Sequence, residues 1–381
     1  MISRKIKKTI LARLGKFPAV ALLGPRQAGK TTLARTFSHL YYDLEIEQDR
    51  LRLDIQWEEI ISEDRIIILD EAQNYPDIFP RIRNAIDNNR KKNGRFMILG
   101  SVSPGLMQQV SEFLTGRIAL CEISPLAIGE INKKDIDRLW LKGGFPGGGI
   151  LDDEQFPVWQ QNYLDLLAMR DLPHWGLSAR PQVILKFFKM IAAVHGGLWN
   201  ASQIGKSMGL SYHTVNSYLD YLDQVYIIRK LNPYFSNLKK RLVKSHKIYW
   251  RDSGLLHSLL KINNFDELIS QPWVGASWES FVIEQILNSL DSQGRQYEAC
   301  FLRTSDGYEL DLVLMLDNKK WAFEIKLTGV PGNEDMNRLI KTSEMIGADN
   351  TVLISRTKKE IKGKNIISTN LAGILKILSE N

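Results

Sequence analysis

The sequence predicts an α/β fold, with a central parallel sheet at its N-terminal end and further helical and α/β units behind it. Three observations predict it. Short apolar runs of strand length, Val20-Ala21-Leu22-Leu23, Ile66-Ile67-Ile68-Leu69 and Phe96-Met97-Ile98-Leu99, alternate with helical stretches from Phe17 to about Ile131, the pattern of strands buried on both faces. A glycine-bounded turn, Gly24 to Thr31, follows the first run directly and opens a helix. Beyond Gly275 the pattern returns to a helix followed by strands.

The length of 381 residues calls for two to four units at roughly 100 to 200 residues each. Punctuation divides them: residues 1–130 form the first α/β unit, and 131–178 a helical lid or linker opening on the cluster Gly143 to Gly149. Residues 179–255 read as helix, helix, helix and basic hairpin, and 256–381 as the second α/β unit. A hydrophobic fraction of 44% with 24% charged residues excludes a disordered chain. The basic start, Met1 to Lys8, precedes no apolar signal core, and no run is long enough to span a bilayer; a cytoplasmic protein without a membrane partner is expected. Cys121 and Cys300, far apart and without metal-type spacing, are expected to be buried, reduced thiols. The net charge of +7 and pI of about 9.1 favour a polyanionic partner.

Gly24, Pro25, Arg26, Gln27, Ala28, Gly29, Lys30 and Thr31 fit G-x-x-x-x-G-K-[ST] between a strand and a helix, the setting that a phosphate-binding loop requires. The glycines let backbone N–H groups cradle phosphates, Lys30 reaches the β and γ oxygens, and the Thr31 hydroxyl coordinates Mg²⁺, with Thr32 next in line. ATP and Mg²⁺ are the expected cofactors. The strand ending in Asp70-Glu71 delivers two carboxylates at its C-terminal end, where open α/β sheets bind ligands. Asp70 is expected to hold Mg²⁺ and Glu71 to act as base on the attacking water. Ser101, at the end of the next strand, senses the γ-phosphate or caps a helix. Arg117, just after a helix, stabilises transition-state charge in its own or a neighbouring subunit, which would call for a homo-oligomer, or forms a plain salt bridge.

With Leu69-Asp70-Glu71-Ala72-Gln73, Gly100-Ser101, Thr115-Gly116-Arg117, Gly143-Gly144-Phe145-Pro146 and Arg170-Asp171 in order after the loop, the chain resembles prokaryotic AAA+-superfamily ATPases that carry a C-terminal restriction-endonuclease-like, PD-(D/E)XK, domain. The resemblance spans nearly the whole length. It implies an AAA-type P-loop ATPase domain, a middle unit and a nuclease-like end.

The middle unit reads as a winged helix. Ser211 caps a helix that places Val215, Leu219 and Leu222 on one face and Tyr212, His213, Asn216 and Ser217 largely elsewhere, the division of a recognition helix. The following stretch interleaves Tyr234, Phe235, Tyr249 and Trp250 with Lys239, Lys240, Arg241, Lys244 and Lys247, as a wing tracking a phosphate backbone would. Nucleic acid, DNA in the first instance, is the expected partner; a packing module with solvated lysines is the alternative.

In the last unit, Glu309, Asp311 and Val313 share one strand face, and Glu324 and Lys326 share a face of the returning strand. A hairpin register that aligns them brings Asp311, Glu324 and Lys326 together, the D-x(n)-E-x-K arrangement of restriction-endonuclease-like folds, with Glu279 on a preceding helix adding a carboxylate. Asp311, Glu324 and Glu279 are expected to ligate Mg²⁺, and Lys326 to orient or deprotonate the attacking water. The function expected is Mg²⁺-dependent ATP hydrolysis coupled to nucleic-acid binding, with metal-dependent nuclease activity at the C-terminal centre. The alternative is a nucleotide-dependent switch whose C-terminal half binds a protein and is catalytically inactive.

Overall fold

A computed structural model describes residues 2–100, 104–132, 135–234 and 243–380. The first unit begins with α1 (Lys7–Leu14), β1 (Ala19–Leu23), α2 (Lys30–Ala34), β2 (Tyr41–Asp43) and α3 (Glu47–Ser62). It continues with β3 (Ile67–Asp70), α4 (Ile78–Asn88), β4 (Phe96–Leu99), α5 (Pro104–Leu114) and β5 (Ile118–Glu122). The strands form one parallel sheet in the order β2-β3-β4-β1-β5. Strand alternation sends Ala19, Ala21, Leu69, Phe96 and Ile98 into a core shared with α3, α4 and α5, and Val20, Leu22, Ile68, Met97 and Leu99 into a second core with α1 and α2. Each fully buried Leu or Ile contributes about 1.5–3 kcal/mol, so both layers hold the sheet and every apolar run needs apolar residues at consecutive positions. Because β4 lies between β1 and β3, the turns after β1 and β3 open on the same edge, either side of the end of β4.

The helical linker contains α6 (Ile136–Lys142), α7 (Val158–Leu166), a π-helical turn over Leu167–Asp171 and α8 (Leu172–His174). It docks closely on its neighbours: the Gly144 N–H donates to Asp252 Oδ2 at 2.8 Å, and a Cβ on Gly144 would lie 2.2 Å from the Leu126 carbonyl oxygen. Behind it come α9 (Pro181–Ala193), α10 (Ala201–Met208), α11 (Tyr212–Gln224) and the antiparallel pair β6 (Ile228–Pro233) and β7 (Lys247–Trp250). Ser211 caps α11 through the Thr214 N–H at 3.1 Å, and Val215, Leu219 and Leu222 are buried.

The C-terminal unit is built from α12 (Ser253–Leu259), α13 (Phe265–Ile269), α14 (Val274–Ser292), β8 (Tyr297–Arg303), β9 (Glu309–Leu316), β10 (Lys319–Ile325) and α15 (Asn333–Met345). Strands β11 (Asn350–Ile354), β12 (Ile361–Lys362) and β13 (Ile366–Thr369) precede α16 (Leu371–Glu380). The β9–β10 turn places Asp317 and Asn318 at φ 50° and 61°, the left-handed pair that a two-residue hairpin turn needs. Strand β6 also pairs in parallel with β8, so the hairpin of the middle unit becomes the edge of an eight-stranded sheet, β12-β13-β11-β10-β9-β8-β6-β7. Middle and C-terminal units therefore share a sheet and are not separated at residue 255.

Buried charge ties this sheet to the first unit. Glu284 of α14, 2% exposed, accepts from Arg229 and Arg251, and Arg251 also pairs with Glu122 of β5. Removing one member of such a network leaves an uncompensated buried charge. Cys121 is buried and Cys300 only half-buried; both are free thiols. No helix among the described residues is long and apolar enough to cross a membrane.

Candidate functional site

The turn between β1 and α2 is shaped by its glycines. Gly24 has φ 153°, and a Cβ there would lie 2.1 Å from the Ile123 carbonyl oxygen just after β5. Gly29 caps α2 in the left-handed region at φ 94°. The chain therefore passes hard against Ile123, curls, and presents its amides to the mouth of the sheet. Inside the curl Lys30 is 7% exposed, its Nζ donating to the Gly24 and Pro25 carbonyls at 2.9 Å each. The Ala28 carbonyl accepts from Arg4 Nη1 at 2.8 Å, and Arg4 also reaches the Ser124 carbonyl and Glu130.

Asp70, at the end of β3, accepts from the Thr31 hydroxyl at 2.6 Å and from the Tyr41 hydroxyl at 2.8 Å on the same oxygen, Oδ2. The structure thus brings Lys30, Thr31 and Asp70 together. Glu71 follows in the left-handed region at φ 49°, a conformation costing about 1–3 kcal/mol that concentrates at functional sites. Its carboxylate accepts from Gln73 Nε2. Burial raises the Glu71 pKa, the Gln73 hydrogen bond works against that, and Asp70 adds to the rise, the direction that makes a carboxylate a better proton acceptor.

Lys30, Thr31 and Glu71 open on a cavity of about 960 Å³. Gln27, Gly29, Lys30, Thr31, Thr32 and Glu71 line it together with Ile2, Arg4, Lys7, Leu126, Pro146 and Leu151. Arg4, Tyr41 and Gln73 are site residues that sequence reasoning missed. Arg26 points instead to the linker: its Nη1 donates to Asp171 Oδ1 at 2.6 Å, Arg170 Nε reaches the same oxygen at 2.9 Å, and the Tyr163 hydroxyl donates to the Arg26 carbonyl at 3.4 Å.

Two expected participants are not among the groups brought together here. Ser101 lies outside the described residues, as do Phe235, Lys239, Lys240 and Arg241 of the expected wing. Arg117 precedes β5 at the end of the sheet away from the loop, since Ala19 pairs with Ile118 and Leu23 with Glu122. Five residues of strand separate it from the mouth, roughly 16 Å. Its guanidinium is engaged by both Asp87 oxygens at 2.8 and 2.9 Å, so it does not reach the loop of its own chain; the salt bridge is what forms.

Burial lowers the Lys30 pKa to about 8, with Glu71 and Asp70 pulling it back up and Arg26 pushing it further down. A polyphosphate bound beside the ammonium favours the charged form. Above pH 8 the free protein has lost a proton that the complex holds, so binding takes one up and affinity falls as pH rises, by about tenfold per pH unit. Below pH 8 affinity is insensitive to this group. Calorimetry of ATP binding in buffers of different ionisation heat is expected to show this uptake above pH 8 and its disappearance towards pH 7.

The C-terminal carboxylates also meet. The antiparallel register Phe323↔Leu312 continues to set Glu324 opposite Asp311, and the Ile325 N–H donates to Asp311 Oδ2 at 2.8 Å. Lys326 Nζ lies 2.6 Å from Glu324 Oε1. The centre is filled by Lys247, expected on a solvated wing but 3% exposed, with Nζ 2.9 Å from Glu279 Oε1 and 2.8 Å from Glu309 Oε1. Tyr249 and Trp250 are also buried, not free for base stacking. Asn216 accepts from Trp199 Nε1 at 2.8 Å and is not a free groove-facing group. Among the described residues, no three His, Cys, Asp or Glu side chains are grouped to hold a metal ion. Glu279, Asp311 and Glu324 thus converge without forming the expected Mg²⁺ cage.

Comparison with known proteins agrees with the N-terminal geometry. Residues 16–132 match an AAA domain, and residues 133–266 and 274–372 match two domains of unknown function, DUF8612 and DUF4143. Among solved structures, the Walker-type ATPase PABY2304 of Pyrococcus abyssi is similar at 16% identity and a TM-score of 0.46, over 67% of this chain and 95% of that one. The uncharacterized proteins Rv2008c of Mycobacterium tuberculosis and Mb2031c of Mycobacterium bovis are each 37% identical over 337 residues, 87% of this chain and 75% of theirs. With that identity over that length, the chain belongs to the same family as Rv2008c and has an AAA-type P-loop ATPase domain at its N-terminal end.

Proposed function

We propose that the chain binds ATP with Mg²⁺ at the Lys30 loop, hydrolyses it, and uses the change in nucleotide state to control contact with a nucleic acid through the middle unit. The observation that carries the catalytic part is the placement of Lys30, Thr31, Asp70 and Glu71 at one edge of the sheet, after β1 and β3 on either side of β4. The loop amides and Lys30 hold the phosphates; Lys30 exchanges its Gly24 and Pro25 carbonyl partners for β and γ oxygens. The donor set fits Mg²⁺: the Thr31 hydroxyl and Asp70 carboxylate oxygens face each other at 2.6 Å, hard ligands of the kind that ion takes from protein when phosphates supply the rest. When bound, that ion neutralises charge on the phosphate oxygens. Tyr41 fixes Asp70 for this task, and Glu71, held by Gln73, accepts the proton of the attacking water. Ile2, Leu126 and Leu151 offer the adenine apolar contacts, and Arg4 and Lys7 add positive charge.

The coupling route starts at Arg26. It sits in the loop yet bonds Asp171, 4% exposed, at the π-helical turn of the linker, and such turns mark functional positions. Phosphates entering the loop compete with Asp171 for this guanidinium. Support for the partner comes from the net charge of +7, the order of three helices and an antiparallel hairpin from α9 to β7, and the exposed Tyr212, His213 and Ser217 on α11.

Phosphate release from ATP with no acceptor added, dependent on Mg²⁺ and lost in Thr31→Ala, is the expected result. Turnover only with an acceptor would sink the hydrolase reading in favour of a kinase. Fluorescence anisotropy with labelled DNA is expected to show affinity falling steeply with salt. No salt-sensitive binding would replace the nucleic acid with a protein partner.

A further inference from the structure

The acidic centre of the C-terminal unit already contains a cation, and it is part of the chain. Lys247 lies on β7, reaches inward, and places its Nζ 2.9 Å from Glu279 on α14, 2.8 Å from Glu309 and 3.8 Å from Asp311 on β9. Tyr249, two residues further on and on the same strand face, donates to the same Glu279 oxygen. Lys326 is taken up by Glu324. Four carboxylates therefore face two ammonium groups. Three carboxylates within 3.8 Å hold the Lys247 ammonium. By distance, Glu279 and Glu309 carry most of the pairing.

A divalent ion bridging these carboxylates needs oxygens at about 2.0–2.6 Å around an open position. Lys247 Nζ stands within 3.8 Å of Glu279, Glu309 and Asp311 and presents positive charge to any ion approaching them. The residues present do not fit a resident metal. We propose that Lys247 is the fixed cation of a nuclease-like centre that takes no divalent metal and cleaves no phosphodiester, serving instead as a clamp between the middle hairpin and the C-terminal sheet. The clamp is well placed: β7 ends one side of the shared sheet, and α14, which carries Glu279, also carries Glu284, whose partner Arg251 pairs with Glu122 of the first unit. Movement of the middle unit would thus be carried into the whole sheet. This role is independent of the nucleotide chemistry.

The test uses the full chain with Asp70→Asn, which removes the metal ligand at the ATP site, and Mn²⁺ followed by electron paramagnetic resonance. With Lys247 intact, Mn²⁺ is expected to remain free up to about 1 mM. Lys247→Ala in the same background is expected to gain one bound Mn²⁺ per chain, lost again on adding Asp311→Asn. The otherwise unaltered chain is expected to leave supercoiled plasmid intact with Mg²⁺ or Mn²⁺. One Mn²⁺ bound with Lys247 present and lost with Asp311→Asn would overturn the proposal. So would plasmid cleavage that Asp311→Asn removes, or a folded Lys247→Ala chain that gains no ion. Should Lys247→Ala fail to fold, the measurements with Lys247 intact still decide.

Discussion

Changing Glu71 to Gln is expected to lower kcat for ATP hydrolysis by about 10²- to 10⁴-fold, the range of general-base contributions, while ATP still binds. The substitution keeps the shape and removes the proton acceptor. Three features make Glu71 the group to test: its left-handed backbone at φ 49°, its upward-shifted pKa and the Gln73 bond that aims it. The phosphate-holding groups, Lys30 and Thr31, lie on another element and are untouched. Single-turnover kinetics separate the steps: ATP affinity within a few-fold of the parent, and a slow chemical step, are the expected pair. Unchanged turnover would remove Glu71 from the reaction and leave a binding loop without a base.

Lys30→Ala is expected to lower kcat/KM for ATP by on the order of 10²–10³-fold, as does loss of a preorganised donor aimed at developing negative charge. Lys30 is buried at 7% exposure and held inside the curl by two loop carbonyls, a position that Lys7 on the cavity wall does not share. Its removal also frees the Gly24 and Pro25 carbonyls that it holds. Some loss of loop order is therefore expected besides the loss of charge. The pH dependence separates these effects, because the proton uptake above pH 8 belongs to the ammonium alone and should vanish with it.

The parts legible in the sequence were those with local causes. Continuous apolar runs gave β1, β3 and β4 because both sheet faces are covered, and the loop's spacing gave its own conformation. The β9–β10 pair was legible for the same reason: a turn of two left-handed residues fixes a register, and the register aligns Asp311 with Glu324. What stayed hidden depends on partners far away in the chain. Tyr41 sits on a three-residue strand with no periodicity, and only its pairing with β3 brings it to Asp70. Arg117 needed Asp87, thirty residues earlier, to show which end of the sheet holds it. Lys247 belongs to a basic stretch that reads as a wing tracking a phosphate backbone. Its burial arises because β6 continues the C-terminal sheet through Asn232–Cys300 pairing, which folds the hairpin over Glu279 and Glu309.

Steady-state phosphate release from Mg²⁺-ATP by the parent chain and by Lys30→Ala, measured side by side on folded protein, tests the central claim most directly. Turnover by the parent and its near-complete loss in the variant is the predicted result; turnover by Lys30→Ala at the parent rate would contradict the assignment of this loop as the hydrolytic site.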